Sequence, residues 1–328
     1  MKKNDVIIYS LIQDSTNPSF SSDLLFSCEG SKLEWIMLND VLRSGCPMRQ
    51  NDGELYEDVN DFIEKNKNII NLNYKYLIKE TKPIFGIGER YKNIYRPVFS
   101  YKLQQKHFII DNNPTSSEYD DYKIIESKHE YLDFMRQLDI IIENLIQVFK
   151  VLAPTSNNLS SYGHYIRNII LLACMEFDSM MHNILVKNDY CDIDDKTFTG
   201  DYVKLLEVMR LNEYSIEIKD CEELPLLSPF DEWNKSHPTS SLTWYDDYNK
   251  IKHNRSQCFD KANLKTALNS IAALAVCICA QYGHDNDLWK QTIGKYLKIK
   301  KEPQWTLSDF YIPFTAEIAP SYIKLPFM

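Results

Sequence analysis

The chain is expected to be mainly α-helical, with an α+β region at its N-terminal end. Three observations lead there. From His129 onward, long stretches carry apolar residues at helical spacing. Glycine is scarce, 9 of 328 residues, which disfavours folds built on glycine-rich phosphate loops or many tight hairpins. Before residue 128, short β-branched and aromatic runs alternate with helix-like ones.

In the N-terminal region, 1–128, residues 6–12 read as a strand by their β-branched content. Residues 32–42 place Leu33, Ile36, Met37 and Val41 at helical spacing, and Gly45 and Pro47 are expected to end that helix. Residues 56–77 are expected to form another helix, with Val59, Phe62, Ile63, Ile69 and Ile70 on one face. Residues 83–88 break the pattern, and 94–103 and 106–111 read as β segments. The polar stretch 111–121 is expected to be a surface loop.

The second region, 129–283, reads as a four-helix, up-down bundle. Its first helix, 129–152, presents a broad apolar face from Tyr131 to Phe149. The next, 160–186, is expected to be capped by Ser160 or Ser161 and to be central, because 169–177 is nearly all apolar. An insertion at 187–243 holds a short helix near 202–209 and an extended piece at 214–219. Residues 239–243 offer caps for a polar helix running from Thr243 to about Ser256. An apolar helix at 264–282 follows, closed by Gly283. The remainder, 284–328, holds a basic segment and a tail whose Trp305, Phe310, Tyr311 and Phe314 are expected to pack on the body.

A formal net charge of −9 excludes a general polyanion binder, so any contact with nucleic acid needs a local basic site. The 8 cysteines form no CxxC pair, and Cys174, Cys277 and Cys279 sit in apolar helical runs. That is the pattern of reduced, packed thiols in a cytoplasmic protein. The longest apolar run, 271–280, is shorter than the ~20 residues of a membrane span, and no membrane segment is expected. No cofactor or metal is expected either. Gly86, Gly88 and Arg90 lack the third glycine and the Lys-Ser/Thr of a phosphate loop. His182 and Asp178 are four apart but have no second His or Cys pair to complete a metal site. Asp192, Asp194 and Asp195 lack the glycine and closing Glu of a calcium loop.

The chemistry-bearing stretch is 244–255, WYDDYNKIKHNR. On a helix Asn249 and His253, four apart, share one face, and Lys252 and Arg255, three apart, lie on an adjacent one. A histidine moves protons near neutral pH, and Lys and Arg stabilise charge on a phosphoryl group. With a ribose 2′-hydroxyl as nucleophile, such a set cleaves a phosphodiester without metal. The same spacing also describes a solvated helix face, the commoner case. A second basic stretch, Lys295, Lys298, Lys300 and Lys301 with Trp289, Tyr296 and Trp305 interleaved, reads first as a solvated amphipathic helix.

The run YNKIKHNR, with Trp244 before it and the upstream helix YGHYIRNIILLACMEFDSMMHNIL, resembles the bacterial HEPN superfamily over residues 129–283. That resemblance implies a HEPN-like bundle of four to five helices, usually dimeric. Many of its members are metal-independent ribonucleases of toxin–antitoxin, abortive-infection and other phage-defence systems. On the family motif, Asn249 falls on the polar position and His253 on the catalytic histidine, while Tyr248 stands where the family has Arg. Lys252 and Arg255 flank the histidine as in a Lys-His-x-Arg variant, and Arg255, or Arg167 on the facing helix, would replace the missing Arg. The resemblance therefore implies catalytic roles for His253, Arg255, Asn249 and Lys252, with Arg167, Glu176 and Tyr248 supporting them. Lys250, Lys252 and Arg255 would hold RNA. It also implies a homodimer through the bundle and an antitoxin or phage-derived trigger as partner. The alternative is a non-catalytic module that binds RNA, a nucleotide or a protein. Glu176 and Arg167 read equally well as a structural ion pair.

Overall fold

The computed structural model describes residues 5–12, 21–29, 31–40, 47–49, 54–66, 76–80, 89–95, 118–284, 287–304 and 321–328. Contacts divide the chain into two compact units. One is Met1–Arg90 with Pro97–Thr115 and Trp305–Ile323; the other is Tyr91–Arg96 with Ser116–Gln304 and Lys324–Met328. The expectations for 83–88, 96–111 and 305–320 lie outside the described residues.

In the first unit, alternation governs. The strands β1 (Asp5–Ile12), β2 (Ser21–Glu29), β3 (Lys32–Asp40), β4 (Pro47–Arg49), β5 (Leu55–Tyr56) and β6 (Tyr76–Glu80) form one antiparallel sheet. Its order is β4–β3–β2–β1–β6, with β5 also against β3. One short helix, α1 (Val59–Lys65), is capped by Asp58, whose carboxylate accepts from the amides of Asn60 and Asp61 at 2.8 and 2.9 Å. Phe62 of α1 sits 5.0 Å from each of the rings of Phe26, Trp35 and Tyr56.

Residues 32–40 are therefore a strand, not the expected helix. Leu33 and Trp35 are buried two apart, as a pleated strand requires, and pairing with β2, β4 and β5 outweighs a chance helical spacing. The helix expected over 56–77 is also corrected: it covers only Val59–Lys65, and Tyr76–Glu80 pairs with β1 as a strand.

Beyond β7 (Glu89–Tyr91), the second unit is a helical bundle. Its long helices are α2 (Glu118–Phe149) and α3 (His164–Lys187). After the short α4 (Thr199–Tyr202), α5 (Leu205–Met209) and β8 (Ser215–Ile218) come α6 (Thr243–His253) and α7 (Leu264–Tyr282). Helix α2 takes up the last residues of the loop expected at 111–121.

Helices α3 and α7 form the centre and run parallel. Cys174 lies against Ser270 (3.6 Å) and Met181 against Cys277 (3.9 Å), the same offset twice. At one end, the amides of Leu264 and Lys265 donate to the carbonyls of Ser161 and Leu159, and Asn263 caps Thr266, so the first turn of α7 is satisfied. Residues 159–161 thus serve α7, and the start of α3 falls to Gly163 rather than to the expected serine caps. At the other end Asn188 and Gln281 both donate to the carbonyl of Asn93. Gly283, at φ 78°, closes α7 as expected.

Antiparallel α2 flanks this pair, joined by Lys187–Glu130 (3.0 Å) and the Tyr131–Tyr282 ring contact. The fourth helix, α6, packs on the same pair, between the insertion and the turn that leads into α7. By length and composition α3 and α7 could each cross a membrane; here α7 is buried in the bundle core.

The basic segment is not one amphipathic helix. It is α8 (Asp287–Gln291), a turn, and β9 (Leu297–Lys301), which pairs antiparallel with β8. Trp289 is buried and Lys300 bonds Glu217 at 2.8 Å, so a strand partner and an acid use groups that could have met RNA. Near the C-terminus β10 (Ser321–Ile323) pairs with β7, and Phe327 then packs 5.7 Å from the Tyr190 ring.

Candidate functional site

Helix α6 sorts its residues by face. Trp244, Tyr245, Tyr248 and Ile251 are buried, Lys250, Lys252 and His253 are exposed, and Asn249 is half-buried. Three polar contacts pin the inner side. The Trp244 indole donates to the Pro229 carbonyl at 2.9 Å, the Tyr245 hydroxyl to Asp178 Oδ1 at 2.6 Å, and Thr266 Oγ1 to Asp247 at 3.2 Å. The insertion, α3 and α7 therefore each hold α6 once. Trp244 and Tyr245 also pack on Phe177 of α3, at 5.2 and 5.8 Å.

The termini of α6 differ from expectation. Its N-cap is Leu242, with no side-chain cap from the Thr/Ser cluster. It ends at His253, not near Ser256. Gln257 and Cys258 donate their amides to the Asn254 carbonyl, and the Asn254 side chain bonds Gln257 at 2.8 Å, which turns the chain toward α7. Arg255 thus lies past the helix on an exposed turn and does not share a helical face with Lys252. Lys250, Lys252 and His253 occupy the last turn, where cations suit the helix dipole; Lys250 also pairs with Asp246 at 2.5 Å.

Tyr248 is 1% exposed. The Lys252 ammonium turns back one turn, over the Tyr248 ring at 5.2 Å, and donates to its hydroxyl at 3.3 Å. Burial holds the Tyr248 phenol above its ordinary range.

The acid beside α6 is Asp178. Burial pushes its carboxyl up to about 6, while the Tyr245 bond and the Lys252 charge act downward. Burial and the neighbouring carboxylate raise Tyr245 as well, and burial lifts Tyr202 to about 12. Glu176, two residues from Asp178, lies about 200° around α3. It is half-buried, and desolvation raises its carboxyl. Arg167 and Glu176 are about two and a half turns apart, on opposite sides of α3. Among the described residues no ion pair joins them, and neither bonds α6. Arg167 Nε is buried without a hydrogen-bond partner among the described residues.

His253 and Asn249 make no hydrogen bond among the described residues, so both are open to a ligand at the solvent edge. His182 is not: its Nδ1 meets Thr197 Oγ1 at 2.9 Å and its Nε2 the Ile193 carbonyl at 3.1 Å. No group of three His, Cys, Asp or Glu side chains among the described residues could hold a metal ion.

The structure thus brings Asn249, Lys252 and His253 to one exposed edge, sets Arg255 just past it, and buries Tyr248 beneath it. The Asp178–Tyr245 pair escaped the sequence reading, which weighed Asp178 as a metal ligand or a packed charge and named no partner for it. Its available signal was an acid beside the core residue Phe177, matched by a tyrosine beside Trp244. Comparison of the chain with protein-family models, curated proteins and solved structures finds no match.

Proposed function

We propose that the chain is a HEPN-type, metal-independent endoribonuclease, acting as a phage-defence or toxin effector in the cytoplasm. The observation that carries this reading is the edge of α6. A short helix anchored on three sides presents an unpartnered histidine and an amide, with Lys252 and Arg255 close in the chain, on a helical bundle. In this reading His253 moves the proton of the ribose 2′-hydroxyl or of the leaving oxygen. Lys252 and Arg255 offset the phosphoryl charge, Lys250 holds the RNA backbone and Asn249 orients the phosphate. The 2′-oxygen attacks the adjacent phosphorus, the 5′-oxygen leaves, and a 2′,3′-cyclic phosphate remains. Incubation of RNA with the protein in EDTA tests it: cleavage should persist and yield cyclic ends, and His253→Ala should slow it by roughly 100-fold or more. Equal cleavage by both proteins would sink the assignment.

The dimer belongs to the same reading. Tyr165, Leu172 and Met175 are 76, 41 and 59% exposed and share one side of α3, an apolar stripe that supports pairing with a second copy. Light scattering should report a dimer for the wild type and a monomer for Leu172→Glu combined with Met175→Glu; a monomeric wild type would refute this arrangement.

One observation favours the non-catalytic module instead. Tyr248 is sealed in the core, where the family motif places its Arg. RNA binding by the wild type with no cleavage, weakened by Lys252→Ala, would select that reading.

A further inference from the structure

We infer that Asp178 is a positioning residue for the α6 edge: its bond to the Tyr245 hydroxyl fixes the rotation of α6 about its own axis, and so the bearing of Lys252 and His253. This rests on the ribonuclease reading of that edge. Asp178 stands on α3, one of the two central helices, so the carboxylate is a fixed post. Helix α6 has 11 residues, too few to be stable alone, and its orientation comes from tertiary anchors. The Asp178 anchor continues toward the edge. The Tyr245 ring meets the Tyr248 ring at 5.3 Å, and the Tyr248 hydroxyl receives Lys252. Contacts therefore run unbroken from the carboxylate on α3 to the ammonium at the edge.

The groups facing Asp178 explain why this post is specific. They are Tyr245, Tyr248 and Lys252 from α6, Cys174 from α3 and Tyr202 from the insertion. Among the described residues Tyr245 is the one hydrogen-bond donor to it, and Lys252 the one cation. A change of helix rotation by one residue, about 100°, would swing the edge away from where Lys252 now lies over Tyr248. The Asp178–Tyr245 bond resists that turn, because breaking it leaves the half-buried carboxylate and the buried Tyr245 hydroxyl without this bond.

The test uses the full chain with Asp178→Ala, Asp178→Asn and Tyr245→Phe, well below each variant's melting temperature. Two quantities are read: kcat and KM for RNA cleavage in EDTA, and amide hydrogen exchange over 243–256. Asp178→Ala and Tyr245→Phe should each lower kcat about tenfold with KM within about twofold, and should speed exchange about tenfold. Asp178→Asn keeps an acceptor for Tyr245 and should restore both. A purely structural role would leave kcat of the folded protein unchanged. Unaltered exchange in both Asp178→Ala and Tyr245→Phe, or no rescue by asparagine, overturns the inference. If the wild type cleaves no RNA, the ribonuclease reading fails, and the exchange measurements still decide whether Asp178 holds α6.

Discussion

Phe177→Ala should lower the unfolding free energy of the helical unit by about 3–5 kcal/mol. Phe177 is fully buried on α3, and its ring has aromatic neighbours from three directions: Tyr202 at 5.9 Å, Phe230 at 6.0 Å, and Trp244 and Tyr245 of α6 at 5.2 and 5.8 Å. Removing it takes away both the buried ring and one face of each neighbour, and large aromatic side chains relax poorly into such a void. Urea unfolding curves measure the effect. Glu143→Ala, at an exposed position on α2, is the control and should change stability by less than about 0.5 kcal/mol. A loss below about 1 kcal/mol for Phe177→Ala would mean that the insertion and α6 do not share a core with α3.

The second large effect is a pH dependence with an unusual sign. Burial raises the Asp178 carboxyl to about 6 in the folded chain, against an ordinary value of 3.8. Between those values the folded state binds more protons than the unfolded one, so stability falls as pH rises. The contribution is fully present below about pH 4 and is lost as pH passes through about 6. The gap of about two units corresponds to at most about 3 kcal/mol. Asp178→Asn removes the titration while keeping an acceptor for Tyr245. The variant should therefore be more stable than the wild type at pH 7.5, by about 1–3 kcal/mol, and the difference should vanish at pH 4. The comparison isolates this group from Glu176 and Asp247, whose carboxyls burial also raises. Equal stabilities of the two proteins at pH 7.5 would show that Asp178 bears no desolvation cost.

Helices whose contacts are dictated by their own periodicity were legible. The apolar run of α7 was placed at 264–282, the bounds observed, because nearly every side of that helix is buried and Gly283 marks its end. The N-terminal unit was less legible. Leu33, Ile36 and Met37 satisfy a helical template, and only the partner strands, up to 23 residues away in the chain for Tyr56 of β5 opposite Leu33, select the pleated alternative. At the candidate site, the exposed edge of α6 could be read from spacing, since Asn249 and His253 obey the helical repeat. The end of α6 could not, because Asn254 stops the helix by bonding its own turn. Nor could the role of Asp178. Glu176 and Asp178 flank Phe177 symmetrically in sequence, and only the packing of α6 on one side of α3 separates them.

The parallel arrangement of α3 and α7 bears on how the chain reaches this structure. Antiparallel neighbours α2 and α3 are joined by residues 150–163, and α6 is joined to α7 by residues 254–263, so each pair forms from contacts far closer in the chain than those of the central pair. Cys174 and Ser270 are 96 residues apart, and the loop between them contains the whole insertion. Closing that loop gains contacts only late, after its entropy has been lost. The bundle should thus assemble as two helical hairpins that dock last along α3 and α7. Until they dock, most of the apolar surface of α7 stays in water, and the nascent chain is at its most aggregation-prone.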